Sequence, residues 1–213
     1  MTNLAEKYRP TKFEDFEGSE LVIAMLQKMV AEETLPNCML FTGDKGCGKT
    51  SAARIISNEI NGEGSQNLSY IEVDAASNSG VDNIRKLQET LMYSHPGNWR
   101  IVVIDEAHGL STAAFNALLK VLEEPPARTT FILITTQAHS VPDTVKSRSM
   151  VFRFKNISIP DIARNLMRIA IAEKATVPPE VIVRIAQVAG GSMRTAIVLL
   201  QQILQVDMFT VET

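Results

Sequence analysis

The residues of this chain best suited to chemistry fall in two places. The first is the run Gly43, Asp44, Lys45, Gly46, Cys47, Gly48, Lys49, Thr50, followed by Ser51, which fits the spacing G-x-x-x-x-G-K-[ST]. Glycines at those positions let the backbone curl until successive N–H groups face one concavity, and the dipole of a following helix adds positive charge there. Lys49 can then reach the outer phosphates of a nucleotide and the Thr50 hydroxyl can hold Mg²⁺. The second place is Asp105-Glu106, directly after the apolar run Ile101, Val102, Val103, Ile104. Asp105 can hold Mg²⁺ through water, and Glu106 can polarise the water that attacks a γ-phosphate.

Both groups need particular elements to position them. Cys38, Met39, Leu40 and Phe41 precede the glycine loop as an apolar strand, and Ala52, Ala53, Ile55, Ile56 and Ile60 follow it at helical spacing. A second strand is predicted from 68 to 73, a helix from 81 to 93, a third strand from 99 to 104 and a helix from 111 to 123 with Ser111 as N-cap. A fourth strand over 130 to 134 ends near Thr136, whose hydroxyl could sense a γ-phosphate. A short turn or helix from 141 to 146 and a fifth strand from 150 to 154 complete the alternation. Before the loop, a helix is predicted from Leu21 onward with Ser19 as its N-cap, and the segment 61 to 67 reads as a plain connector. Alternating strands and helices imply an α/β fold with a parallel, doubly wound sheet and the ligand at its strand ends. From Ile159 the pattern changes to three helices, over 160 to 173, 178 to 189 and 192 to 206. The expected division is therefore an α/β domain over 1–157 and a small helical lid over 158–213.

Composition narrows the class. Apolar residues make up 45% and charged ones 21%, an ordinary balance for a globular chain, and the net charge of −3 advertises no general affinity for nucleic acid. No apolar run approaches the roughly 20 residues of a membrane span, and no secretory pattern opens the chain, so a cytoplasmic protein with no membrane partner is expected. Cys38 and Cys47 are read as free thiols. His95, His108 and His139 lack ligand spacing, and His108 is read as a polar loop residue.

Taken in order, the stretches KYRP and FEDFEG at 7 to 18, GDKGCGKTSAARI at 43 to 55, IEVDAAS at 71 to 77, VVIDEAHGLSTAAFNALLKVLEEPP at 102 to 126, FILITT at 131 to 136, SRS at 147 to 149 and GGSMRTAIVLLQQ at 190 to 202 resemble the clamp-loader ATPases of the AAA+ superfamily. That group includes bacterial DNA polymerase III gamma/tau subunits, the small subunits of replication factor C and phage loaders. The resemblance implies an AAA+ P-loop sheet domain with a helical lid, ATP and Mg²⁺ as cofactors, and other loader subunits, a sliding clamp and primer-template DNA as partners. It implies that Thr136 is sensor 1, Arg194 the sensor 2 arginine and Arg148 an arginine finger completing a neighbour's site. It also implies that Arg9 and Pro10 contact the adenine, and by position it makes Asn78, Ser79 and Arg85 candidates for DNA contact. Without it, Arg148 and Arg85 read equally well as surface charges.

The sequence departs from the family pattern in three places. The four-cysteine zinc module after the phosphate-loop helix is missing, so no zinc is expected. Ser-Arg-Cys reads Ser-Arg-Ser, which keeps the arginine. The helical collar domain that drives pentamer formation would lie beyond Thr213. The leading expectation is an ATPase subunit of a replication clamp loader. The alternative is a nucleotide-binding assembly module without independent hydrolysis, against which intact Lys49, Thr50, Asp105 and Glu106 argue. A helicase, suggested by the letters Asp-Glu-Ala-His, leaves the stretches at 111 to 126 and 190 to 202 unexplained.

Overall fold

A computed structural model describes residues 3–62, 69–93 and 97–206. Its strands are β1 (Cys38–Thr42), β2 (Tyr70–Asp74), β3 (Arg100–Asp105), β4 (Thr129–Thr135) and β5 (Met150–Arg153). Its helices are α1 (Leu4–Lys7), α2 (Glu20–Ala31), α3 (Lys49–Asn61), α4 (Val81–Leu91), α5 (Thr112–Glu123), α6 (Asp143–Lys146), α7 (Ile159–Ala172), α8 (Pro179–Val188) and α9 (Met193–Val206). All strand pairs are parallel, as the alternation predicted, and the strand order is β2-β3-β4-β1-β5.

The unbroken apolar runs follow from burial on both faces of that sheet. Along β1, Met39 and Phe41 point into a core shared with α2 and α3, while Cys38 and Leu40 point into a second core shared with α4, α5 and α6. Strand periodicity of two sends alternate residues to opposite faces, so a doubly covered strand has no polar positions to show. A third core fills the helical unit with Ile162, Leu166, Ile169, Ile182, Ile185 and Leu200, and Leu4 of α1 joins it from the start of the chain. The lead-in segment is stitched there by Leu4 N donating to Gln201 Oε1 at 2.9 Å, and by Lys7 and Tyr8 donating to Glu173 Oε1 at 2.6 and 2.5 Å.

Two sequence expectations need correction. Ser19 stands before α2 but does not cap it; it sits in the left-handed region at φ 55°, and its hydroxyl accepts from Lys155 N at 2.9 Å instead. Tertiary pairing to the segment after β5 has claimed the side chain. β5 ends one residue early at Arg153, although Phe154 N still donates to Thr42 O at 2.8 Å. Ser111 caps α5 as predicted, accepting from Ala114 N at 3.2 Å. Of the predicted connector, residues 63–67 lie outside the described residues, as does Leu68 at the start of the predicted second strand. No helix among the described residues is long and apolar enough to cross a membrane.

Candidate functional site

β1 delivers the chain to the glycine loop and α3 carries it away, so the loop caps the carboxyl edge of the sheet. Gly48 has φ 99°, and a Cβ there would lie 2.3 Å from the Phe16 ring; Gly46 has φ 79°, and a Cβ would lie 2.0 Å from Ser192 Oγ. Both backbone shape and close approach therefore exclude a side chain. The Gly46 carbonyl accepts from Met193 N at 3.1 Å, which ties the loop to the first turn of α9.

Lys49 is only 7% exposed. Its Nζ donates to the carbonyls of Gly43 at 2.8 Å and Asp44 at 2.6 Å, and lies 3.7 Å from Cys47 Sγ. Among the described residues no carboxylate pairs with it. A buried ammonium facing only carbonyl dipoles makes this corner a place for an anion. The two thiols are free and buried. Burial raises the pKa of both, that of Cys38 to about 11, so neither acts as a thiolate near neutrality.

One residue beyond Lys49, Thr50 Oγ1 donates to Asp105 Oδ2 at 2.9 Å. Residues 55 positions apart are brought together because α3 starts, and β3 ends, at the same edge. The other carboxylate oxygen, Oδ1, accepts from Glu106 N at 2.8 Å. Glu106 itself adopts φ 50°, a left-handed conformation costly for a side-chain-bearing residue and concentrated at functional sites. Its carboxylate lies 3.0 Å from Lys45 Nζ and 3.4 Å from His108 Nδ1, and His108 Nδ1 lies 3.1 Å from Thr135 Oγ1. His108 is thus a polar turn residue, as expected, but one that helps hold the glutamate.

These groups open onto a cavity of about 770 Å³, within the range of small-molecule and cofactor sites. Lys45, Gly46, Cys47, Gly48, Lys49, Thr50 and Ser51 form one wall, with Asp105, Glu106 and Thr136 beside them. Arg9 and Pro10 approach from the lead-in segment and Arg194 from the start of α9, so three parts of the chain that the sequence singled out separately share one space. Gly43 and Asp44, the first residues of the loop, do not line the cavity, and Asp44 Oδ2 accepts from Asn156 Nδ2 at 2.8 Å.

Arg148 lies elsewhere. It donates to Thr144 O at 3.0 Å and to Glu123 Oε1 at 2.9 Å, and it does not line the cavity. Asn78, Ser79 and Arg85 are also away from it, near the start of α4: Asn78 donates to Asp74 O at 3.0 Å, the Ser79 carbonyl accepts from Ser111 N at 3.1 Å, and Arg85 pairs with Asp82 at 3.1 Å. Sequence reasoning missed Tyr8, Asn165, Arg168 and Ser192, all of which line the cavity. For Asn165 a signal existed, since it interrupts the apolar stripe Ile162, Leu166, Ile169 of α7 with a polar side chain. Among the described residues no group of three or more His, Cys, Asp or Glu side chains forms a metal cluster.

The chain is similar to several known proteins. A family model described as DNA polymerase III, delta subunit, matches residues 60–158, which hold Asp105, Glu106, Thr136 and Arg148 but not the glycine loop. The DNA polymerase III subunit tau of Bacillus subtilis is 39% identical over 214 residues, covering 92% of this chain and 38% of that protein. The gamma/tau subunit of Mycoplasma genitalium is 34% identical over 218 residues, covering 93% of this chain and 36% of that protein. The chain thus spans about a third of the length of the curated relatives it matches. Among solved structures, Thermotoga maritima RuvB superposes with a TM-score of 0.77 at 19% identity, covering 97% of this chain and 70% of that one, which speaks for the fold alone. On these sequence matches, the chain belongs to the AAA+ clamp-loader ATPases, the family of the DNA polymerase III gamma/tau subunits.

Proposed function

We propose that this chain is the ATP-binding and ATP-hydrolysing part of a clamp-loader subunit, which uses the nucleotide cycle to place a sliding clamp on primer-template DNA. The observation that carries the reading is the Thr50 to Asp105 contact at 2.9 Å, beside buried Lys49 and adjacent to Glu106. A hydroxyl and a carboxylate facing each other at a phosphate loop fit the hard-oxygen donors that Mg²⁺ takes in nucleotide sites. When bound, Mg²⁺ would neutralise phosphate charge as it develops. The loop amides and Lys49 would hold the phosphates, Arg9 and Pro10 would border the base, and Arg194 would bring the helical unit to bear on the nucleotide. Glu106 would take up the proton of the attacking water, and Thr136 would fix the geometry of the outer phosphate.

The division into an α/β domain over 1–157 and a helical lid over 158–213 belongs to the same proposal. It is supported by the separate core of the helical unit. Arg148 would act on the site of a neighbouring subunit. In favour of this, its ion pair with Glu123 is about half exposed on both sides, so exchanging it for a phosphate costs little. Asn78, Ser79 and Arg85 would meet the DNA backbone, where a few polar groups per subunit suffice.

The test is steady-state ATP hydrolysis with and without primed DNA and a cognate clamp, in the wild-type chain, Glu106→Gln and Arg148→Ala. Stimulation by DNA and clamp that disappears in both variants supports a loader whose active site is shared between subunits. Hydrolysis indifferent to DNA and to Arg148→Ala would leave a nucleotide-binding module and sink the loader reading.

A further inference from the structure

Asn165 is 7% exposed, and its carboxamide finds no hydrogen-bond partner among the described residues, yet it lines the cavity. The side-chain polar atoms sealed from solvent without a partner are those of Ser57, Ser69 and Arg100 among the described residues, so the Asn165 carboxamide is open to the cavity, where a ligand can pair with it. Beyond the phosphate loop the cavity wall holds Tyr8, Pro10, Ile157 and Ile197, together with charged residues such as Arg9, Arg168 and Arg194. Loop and helical unit share this cavity because Met193 N is bonded to the Gly46 carbonyl. With phosphates settled on the loop amides, Tyr8, Pro10, Ile157 and Ile197 offer apolar surface for the faces of a flat heterocycle, and Asn165 offers a polar group for its edge.

We propose that Asn165 is the base-reading residue of this site, with its carboxamide paired to the edge of an adenine. The inference rests on the nucleotide reading given above. A carboxamide presents one donor beside one acceptor. Adenine offers the matching acceptor and donor side by side, at N7 and the 6-amino group, whereas guanine offers two acceptors on that edge. A site whose buried polar group is satisfied by one base rejects the base that leaves it unpaired.

The experiment is equilibrium titration of ADP, GDP and inorganic pyrophosphate, each with Mg²⁺, into the wild-type chain, Asn165→Ala and Asn165→Leu. Thermal unfolding is recorded in parallel without nucleotide. The expected result is about 10-fold or greater loss of ADP affinity in both variants, unchanged pyrophosphate affinity and a reduced ADP-to-GDP preference. Unfolding temperatures without nucleotide should be nearly unchanged, because the side chain makes no described hydrogen bond that the substitutions would remove. ADP affinity within twofold of wild type, or an unfolding temperature lowered by several degrees in both variants, overturns the proposal while leaving the nucleotide reading intact. A wild-type chain that binds ADP no better than pyrophosphate refutes the nucleotide reading itself, and this inference with it.

Discussion

Lys49 concentrates the chemistry of the site in one side chain, since burial, two carbonyl partners and the absence of a described acid partner all favour an anion beside it. Replacing Lys49 by Ala should lower nucleotide affinity by about 100-fold, as expected for losing a charge-assisted contact, and isothermal titration would read it. Glu106→Gln should act differently. It keeps the shape but not the proton acceptor, so the hydrolysis rate should fall by about 10² to 10⁴ while ADP affinity holds. The Lys45 to Glu106 pair is another matter, because Lys45 is 80% exposed and such pairs are worth about 0–1 kcal/mol. Lys45→Ala should therefore leave the unfolding temperature nearly unchanged, and its interest lies in whether the hydrolysis rate rises once the glutamate is released.

At the scale of elements, the two serines that precede helices make a contrast. Ser111 accepts from Ala114 N, and Ser111→Ala should cost about 1 kcal/mol in chemical denaturation, the usual worth of an N-cap. Ser19→Ala removes no cap; it frees Lys155 N, so its effect should appear in the segment after β5 and not in the fraying of α2. The loop is less forgiving than either. Gly48→Ala places a methyl against the Phe16 ring in a left-handed backbone, so both stability and nucleotide binding should fall together.

For the whole molecule, the helical unit, the lead-in segment and the sheet meet at the cavity, so a bound nucleotide should stabilise all three. At ADP concentrations 100 times Kd, mass action predicts about 2.7 kcal/mol, which for a chain of this size corresponds to roughly 5–10 °C in unfolding temperature. The lead-in segment also responds to pH through Glu173. Hydrogen bonds first from Lys7 and then from Tyr8 hold its carboxyl below the ordinary 4.5, and the same contacts raise Lys7 and Tyr8. A lowered carboxyl pKa gives stability that is present above the ordinary value and lost as pH falls through the folded one. The raised Lys7 and Tyr8 values give stability that is lost only at alkaline pH. The latch should stay closed across the neutral range and open in acid, and Glu173→Gln should remove the acid response in limited proteolysis of the first residues.

The phosphate loop, the strand-end acids, the alternation of strands and helices and the three closing helices were all legible in the sequence. Each is set by spacing or by residue chemistry over a few neighbours: Gly48 before Lys49, Asp105 after an apolar run, Ser111 before α5. What only the tertiary structure decided depends on groups far apart in the chain. Thr50 and Asp105 meet because two elements end at one edge of the sheet, and Ser19 lost its cap to Lys155 across 136 positions. Leu4 left the α/β part for the core of the helical unit because apolar burial carries no record of sequence distance. Asn165 stood in the sequence only as a polar break in an apolar stripe, and the cavity it faces exists because the helical unit folds back onto the loop through Met193 and Gly46.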